Sequence, residues 1–358
     1  MKKFSHLDAD NSIADLVEHP AFKGFAARLL PGAYSASLGA LPLRRVGLLL
    51  PQHRHVDAVT VLGAVNHMID EVGRGKTIFY DFYTKKQKRQ APDKGSTGLF
   101  FFRGKPGSPF AVICPGGSFR YVGSLHEGFP LAVELSGKGY NAFVLKYRVS
   151  DARQLRANCL IACQDLAAAL SYLFKNAEAL CIMTRDYSLW GGSAGGRVVA
   201  SLAGCGNAHF GGDVLPTPCA VIMMYPGLPG FCRNVPPAFF TVSDDDKKIA
   251  AAVEQRVRNM REAGLEVACR KYRQAGHGFG LGTGTDAEGW VEHAVRFWRK
   301  HMEKRKGLGR AAASPRKAVA CAWLGKVFIW LGKLFIRRWN HLFKAVLKAL
   351  GRAKNRAI

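Results

Sequence analysis

Apolar positions along this chain follow two rhythms, and their alternation predicts a layered domain with a mostly parallel sheet. Short, nearly continuous apolar runs that read as buried strands lie at residues 97–102, 110–113, 141–147, 187–190, 218–224, 238–242 and 267–272. Between them, helices are expected at 129–138, 154–174, 194–202, 249–263 and 287–300, with Gly139 and Gly264 placed to end two of these. A further strand is expected at 77–83, joined to 97–102 by a polar turn over 85–96. Strands that alternate with helices in this way make an α/β architecture with helices on both faces of the sheet.

Two regions flank that core. Residues 1–76 carry helical spacing at Ile13, Leu16 and Val17, then Phe22, Phe25, Leu29 and Leu30 before Pro31. A second helix is expected at 56–72, with Val59, Leu62, Val65 and Met68 on one side. Residues 304–358 open with a basic, glycine-containing linker, and 318–350 read as one amphipathic helix. At roughly 100° per residue, Lys326, Lys333, Arg337, Lys344 and Lys348 share one side, opposite Phe328, Phe335, Trp339, Leu342 and Val346. The expected organisation is therefore 1–76, 77–303 and 304–358.

Charge sharpens this division. The chain has 358 residues and a formal net charge of +26. From Lys304 onward there are fifteen Lys and Arg and no acid, so +11 remains for the 303 residues before it. The basic excess belongs to the tail, and the rest lacks the basic, aromatic-interleaved stretches expected of a nucleic-acid site. A basic face opposite Trp, Phe and Leu is the composition of a helix lying in a membrane interface. The competing expectation docks that apolar face on the preceding domain or on a second subunit as a homodimer; nucleic acid is the least favoured partner.

Nine cysteines, with no C-x-x-C pair, predict buried free thiols rather than a disulfide framework or a zinc site. No metal and no cofactor are expected. The start, Met1-Lys2-Lys3-Phe4, has no apolar run behind it and does not read as a secretory signal. The charge-free stretch 214–232 contains four prolines, which disfavours a spanning helix. A cytoplasmic protein, peripheral on the inner membrane face through its tail, is the expected location.

Chemistry concentrates at strand ends. Gly191-Gly192-Ser193-Ala194-Gly195 joins a strand to a helix through a pinched turn with a serine at its apex. Such a turn lifts the hydroxyl above the sheet edge, beside a helix N-terminus that favours negative charge. Alone, this G-x-S-x-G pattern is also met in ordinary glycine-rich turns. The strand at 110–113 runs into Cys114-Pro115-Gly116-Gly117-Ser118, the strand at 238–242 into Ser243-Asp244-Asp245-Asp246, and the strand at 267–272 leads to Gly276-His277-Gly278-Phe279-Gly280. Donor loop, Ser, Asp and His thus occur in the order that a serine nucleophile, its acid and its base take in hydrolases of this layout.

By these motifs the chain resembles a bacterial α/β-hydrolase of the esterase/lipase group, similar to acetyl-esterase and hormone-sensitive-lipase-like enzymes, over roughly residues 77–301. The resemblance implies an α/β-hydrolase fold, with helices of 1–76 either capping the site or covering the sheet edge. Where lipase-type relatives have H-G-G-G, this chain has Pro115-Gly116-Gly117-Ser118. Because the oxyanion donors are backbone N–H groups, Gly117, Ser118 and Ala194 are expected to supply them. Ser193 is the expected nucleophile and His277 the base. Asp244, Asp245 and Asp246 all stand where the acid should be; similar hydrolases place it before a D-x-x-V/I segment, which Asp246-Lys247-Lys248-Ile249 matches. The activity implied is ester hydrolysis of a small-molecule substrate. A serine peptidase or amidase of the same fold and a non-catalytic binding protein are the alternatives.

Overall fold

The computed structural model of the chain describes residues 3–32, 35–150, 154–232 and 235–312. The amphipathic segment expected at 318–350 lies outside the described residues. By contacts the chain divides into two compact units, Met1–His301 and Met302–Ile358.

Eight strands form one sheet in the order β1-β2-β4-β3-β5-β6-β7-β8. They are β1 (Phe79–Tyr80), β2 (Gly98–Phe102), β3 (Pro109–Cys114), β4 (Asn141–Lys146), β5 (Met183–Gly192), β6 (Ala220–Met224), β7 (Ala238–Ser243) and β8 (Val267–Tyr272). The β1–β2 and β2–β4 pairings are antiparallel and all others parallel. Every residue of β2, β4, β6 and β7 is buried, as strands covered on both faces of the sheet require. The strand expected at 77–83 shrinks to the two residues of β1.

The helices are α1 (Ile13–Glu18), α2 (Ala36–Gly39), α3 (Ala58–Gly73), α4 (Lys85–Gln90), α5 (Phe129–Gly137), α6 (Leu155–Lys175), α7 (Ser193–Cys205), α8 (Lys247–Glu262) and α9 (Trp290–Ala312). Helix α6 is long and apolar enough to cross a bilayer, but Ala162, Cys163, Leu166, Leu170 and Leu173 put it in the core instead. Trp190 of β5 meets Trp290 and Trp298 of α9 at 6.1 and 6.4 Å between ring centres. Each indole N–H is satisfied: Trp190 donates to Ser188 Oγ, Trp290 to the Gly280 carbonyl and Trp298 to the Asp186 carbonyl.

Two expectations are corrected. The polar stretch 85–96 is not a turn: Thr84 and Gln87 form a capping box that starts α4, and a 3-10 turn, Pro92–Ser96, follows. In α3 the inward face is Val61, Ala64, Val65, Met68 and Ile69, while Val59 is 77% exposed. Asp57 caps the helix, so it begins two residues later than expected. The face that packs inward is the i, i+3, i+4 set Val61, Ala64, Val65, Met68 and Ile69 rather than a stripe at steps of three.

The N-terminal segment is tied to the sheet rather than laid loosely on it. Phe25 stacks on Phe79 at 4.9 Å and meets Phe100 edge-on, which covers the β1–β2 edge. Asn66 of α3 exchanges two hydrogen bonds with the backbone of Leu7. The buried Lys146 donates from Nζ to the carbonyls of Leu30 and Pro31, and burial lowers its pKa to about 7.

Asp165 of α6 is fully buried and holds the end of β4. It accepts from the Arg148 guanidinium at 2.8 and 3.0 Å, from the Arg148 backbone N–H at 2.7 Å and from the Tyr83 hydroxyl at 2.7 Å. Removing one partner of such a pair leaves a buried charge uncompensated. Arg148→Ala is therefore expected to destabilise the fold by about 3–5 kcal/mol in urea denaturation, and Arg148→Met combined with Asp165→Leu by much less. Equal losses for the single and double variants would show that packing, not charge, sets the cost.

Candidate active site

Ser193 is the first residue of α7, directly after the last residue of β5, and its φ of 48° lies in the left-handed region. A serine held there is strained, and only close packing on all sides keeps it so. That packing needs glycine at two places. A Cβ at Gly195 would overlap the Cys114 carbonyl at the end of β3, and one at Gly192 would lie 2.5 Å from Glu127 Oε2.

His277 stands between Gly276 and Gly278, both with positive φ. Its Nε2 lies 2.8 Å from Ser193 Oγ, and its Nδ1 lies 2.5 Å from Asp246 Oδ2. With Nδ1–H donated to the carboxylate, Nε2 presents its lone pair to the serine hydroxyl, a tautomer assigned from these partners. The Tyr225 ring packs on the imidazole at 5.2 Å between centres.

The three neighbouring aspartates part company. Asp246 is the N-cap residue of α8 but its side chain makes no capping bond, so its carboxylate is given to His277. Asp245 instead accepts from Ser243 Oγ at 2.5 Å and from the Gly276 N–H at 3.0 Å, fixing the loop that carries His277. Asp244 points away and pairs with Lys271 at 2.7 Å.

Gly116 packs against the serine: a Cβ there would lie 2.8 Å from Ser193 Cβ. The loop then turns through Gly117, Ser118 and Phe119, all with positive φ, and Ser118 Oγ donates to Gln52 Oε1 at 2.8 Å. Ala194 follows the serine at the first turn of α7, where backbone N–H groups have no partner within the helix. The structure thus brings Ser193, His277 and Asp246 together, with the loop of Gly117 and Ser118 beside them. Among the described residues no cluster of His, Cys, Asp or Glu is arranged to hold a metal ion.

Beneath these loops lies a group that the motifs do not mark. Glu127 is fully buried; its Oε2 accepts the Gly116 N–H, and His53 Nε2 lies 3.0 Å from its Oε1. Burial alone would raise the Glu127 pKa, but His53 and the Gly116 N–H outweigh it and hold the carboxyl at about 2. The adjacent His126 is pushed down to about 4 by burial, and its Nε2 bonds the Gly278 carbonyl at 2.9 Å.

The BD-FAE family model matches residues 104–219, which take in both the Gly116–Gly117 loop and the Ser193 turn. The chain has the α/β-hydrolase fold. Endo-1,4-beta-xylanase B of Butyrivibrio fibrisolvens is 32% identical over 126 residues, a match that spans 32% of this chain but only 19% of that protein. Esterase B of Lactobacillus Rhamnosis (HN001) superposes with a TM-score of 0.51 at 13% identity, covering 70% of this chain and 98% of that one, a likeness of fold. The carboxylesterase Cest-2923 of Lactobacillus plantarum WCFS1 gives 0.48 at 21% identity, with 57% and 92% covered.

The three aspartates allow a direct test. Asp246→Asn is expected to lower ester turnover about 10⁴-fold, because the amide favours the wrong imidazole tautomer. Asp245→Asn keeps an acceptor for Gly276 N–H, and Asp244→Asn loses one exposed ion pair, so both are expected to stay within about tenfold. A large loss confined to Asp245→Asn would transfer the acid's role to that residue.

Proposed function

We propose that this hydrolase is a serine carboxylesterase acting on small-molecule esters through Ser193, His277 and Asp246. The observation that carries the reading is the continuous chain of contacts from Asp246 through His277 to Ser193 Oγ, beside a glycine-rich donor loop. In this reading Ser193 Oγ bonds the ester carbonyl carbon as its proton passes to His277 Nε2. The carbonyl electron pair moves to oxygen, where the N–H groups of Gly117, Ser118 and Ala194 receive it. Collapse of the tetrahedral adduct breaks the bond to the alcohol, which takes the proton from Nε2. Water then attacks the acyl-enzyme with His277 again as base, releasing the carboxylic acid and restoring Ser193.

Ser193→Ala is expected to abolish hydrolysis of a p-nitrophenyl ester series, with a rate loss on the order of 10⁴ to 10⁶, while thermal unfolding stays near that of the parent. A fluorophosphonate probe should label the parent chain and not the variant. An alanine variant that turns over every ester at parental rates would sink the assignment. Faster turnover of small amides than of matching esters would favour the amidase or peptidase alternative, and labelling of neither chain the non-catalytic one.

We also propose, from sequence alone, that the basic tail brings the enzyme to an anionic membrane surface, on the cytoplasmic face. The support is the separation of Lys326, Lys333, Arg337, Lys344 and Lys348 from Trp339 and its apolar neighbours. An exposed apolar stripe costs roughly 25 cal/mol per Å², and each basic residue near an anionic surface contributes about 1 kcal/mol. The full chain is expected to sediment with anionic liposomes, less so at high salt, and a chain ending at Ala312 is not. If the full chain stays in the supernatant and truncation dissociates a dimer, the tail is a docking element.

A further inference from the structure

We infer that Glu127 and His53 form a buried positioning pair, through which residues 52–54 of the N-terminal segment set both the oxyanion loop and the loop carrying His277. The inference rests on the esterase reading above and assigns a role to residues outside its triad.

The loop at 52–54 touches each part of the site. Gln52 Oε1 accepts from Ser118 Oγ at 2.8 Å, His53 Nε2 lies 3.0 Å from Glu127 Oε1, and the Arg54 N–H donates to the His277 carbonyl at 3.2 Å. The fit against the His277 loop is close on both sides. A Cβ at Gly278 would lie 2.9 Å from His53 Cα, and one at Gly276 2.8 Å from Arg54 Cδ. The His53 ring also meets His126 edge-on at 5.5 Å, and His126 in turn bonds the Gly278 carbonyl.

Glu127 converts this anchorage into peptide orientation. Its carboxylate takes the Gly116 N–H, and the Gly116 carbonyl takes the Gly123 N–H at 2.8 Å. Both sides of Gly116 are thereby fixed. Since a trans peptide sets its N–H opposite its carbonyl, the Gly117 N–H is turned away from Gly123 without freedom to rotate. His53 is held in register by Tyr121, whose hydroxyl accepts from the Gln52 N–H at 2.9 Å and lies 2.9 Å from His53 Nδ1. With the Tyr121 hydroxyl donating to Nδ1, the tautomer assigned from these partners places the Nε2 proton on the side of the Glu127 carboxylate. An apolar side chain of similar size would fill the space beneath Gly116 and Gly192. It could not accept the Gly116 N–H.

The test uses the full chain and two readouts, steady-state hydrolysis and the second-order rate of fluorophosphonate labelling at Ser193. Glu127→Gln and His53→Ala are each expected to lower kcat about 10²-fold with KM changed less than about threefold, since misplaced donors act on the transition state rather than on binding. Labelling rates should fall in parallel while the final extent of labelling in the folded fraction stays complete. His53→Gln, which keeps a donor toward Glu127, should recover part of the loss seen in His53→Ala. Parental kcat and labelling rate in folded Glu127→Gln or His53→Ala would overturn the inference, as would His53→Gln behaving no better than alanine. If Glu127→Gln does not fold, the two His53 variants decide the matter. If the parent chain is labelled yet hydrolyses no ester, the esterase reading fails, while the labelling rates still decide the role of the pair.

Discussion

The meeting of β3 with the first turn of α7 is the contact on which the site depends. β5 passes into α7 without a linker, which forces Ser193 into the left-handed region, and the turn survives because Gly195 lets the backbone lie against the Cys114 carbonyl. That same carbonyl ends the strand that delivers Pro115, Gly116 and Gly117. Ser193 and the glycine loop are therefore two sides of one close packing, not two features brought together by chance. Any side chain at Gly195 would separate them.

Parallel strands also explain why Asp246 and His277 reach the serine from so far along the chain. β5, β6, β7 and β8 are consecutive neighbours that run in the same direction, so the loops after β5, β7 and β8 open on one edge of the sheet. Asp246 and His277 are 31 residues apart in sequence but share that edge, and 84 residues separate His277 from Ser193. Asp245 then has its own task, gripping the Gly276 N–H so that the imidazole cannot swing away from its neighbour's carboxylate.

Most of this was legible in the sequence because buried parallel strands are written as unbroken apolar runs, and the motifs sit just after them. The elements misread are those in which apolar spacing carries little information. α4 has no buried residue, so only its T-x-x-Q capping box could have announced it, and that signal was there at Thr84 and Gln87. α3 has apolar residues on more than one face, and only its packing selects which of them turns inward. Glu127 had a faint signal as the one charged residue between Arg120 and Glu134. His53 had none, since a histidine in the polar run Gln52-His53-Arg54-His55 gains its meaning only from what the fold places against it.

The two fully buried carboxylates contrasted in this fold show how similar groups serve different ends. Asp165 is met by a guanidinium, a backbone N–H and a tyrosine hydroxyl, all near the end of β4 and none near Ser193. Its partners make it a fastener for the sheet edge. Glu127 is met by the His53 imidazole, the Gly116 N–H and the Tyr225 side chain, and that N–H belongs to the loop beside Ser193. A buried carboxylate is a poor way to gain stability, because desolvation offsets much of what the contacts return. On the proposed role of the pair, Glu127 serves orientation of the Gly116 peptide, and the N-terminal segment that supplies His53 contributes to that orientation as well as covering the β1–β2 edge.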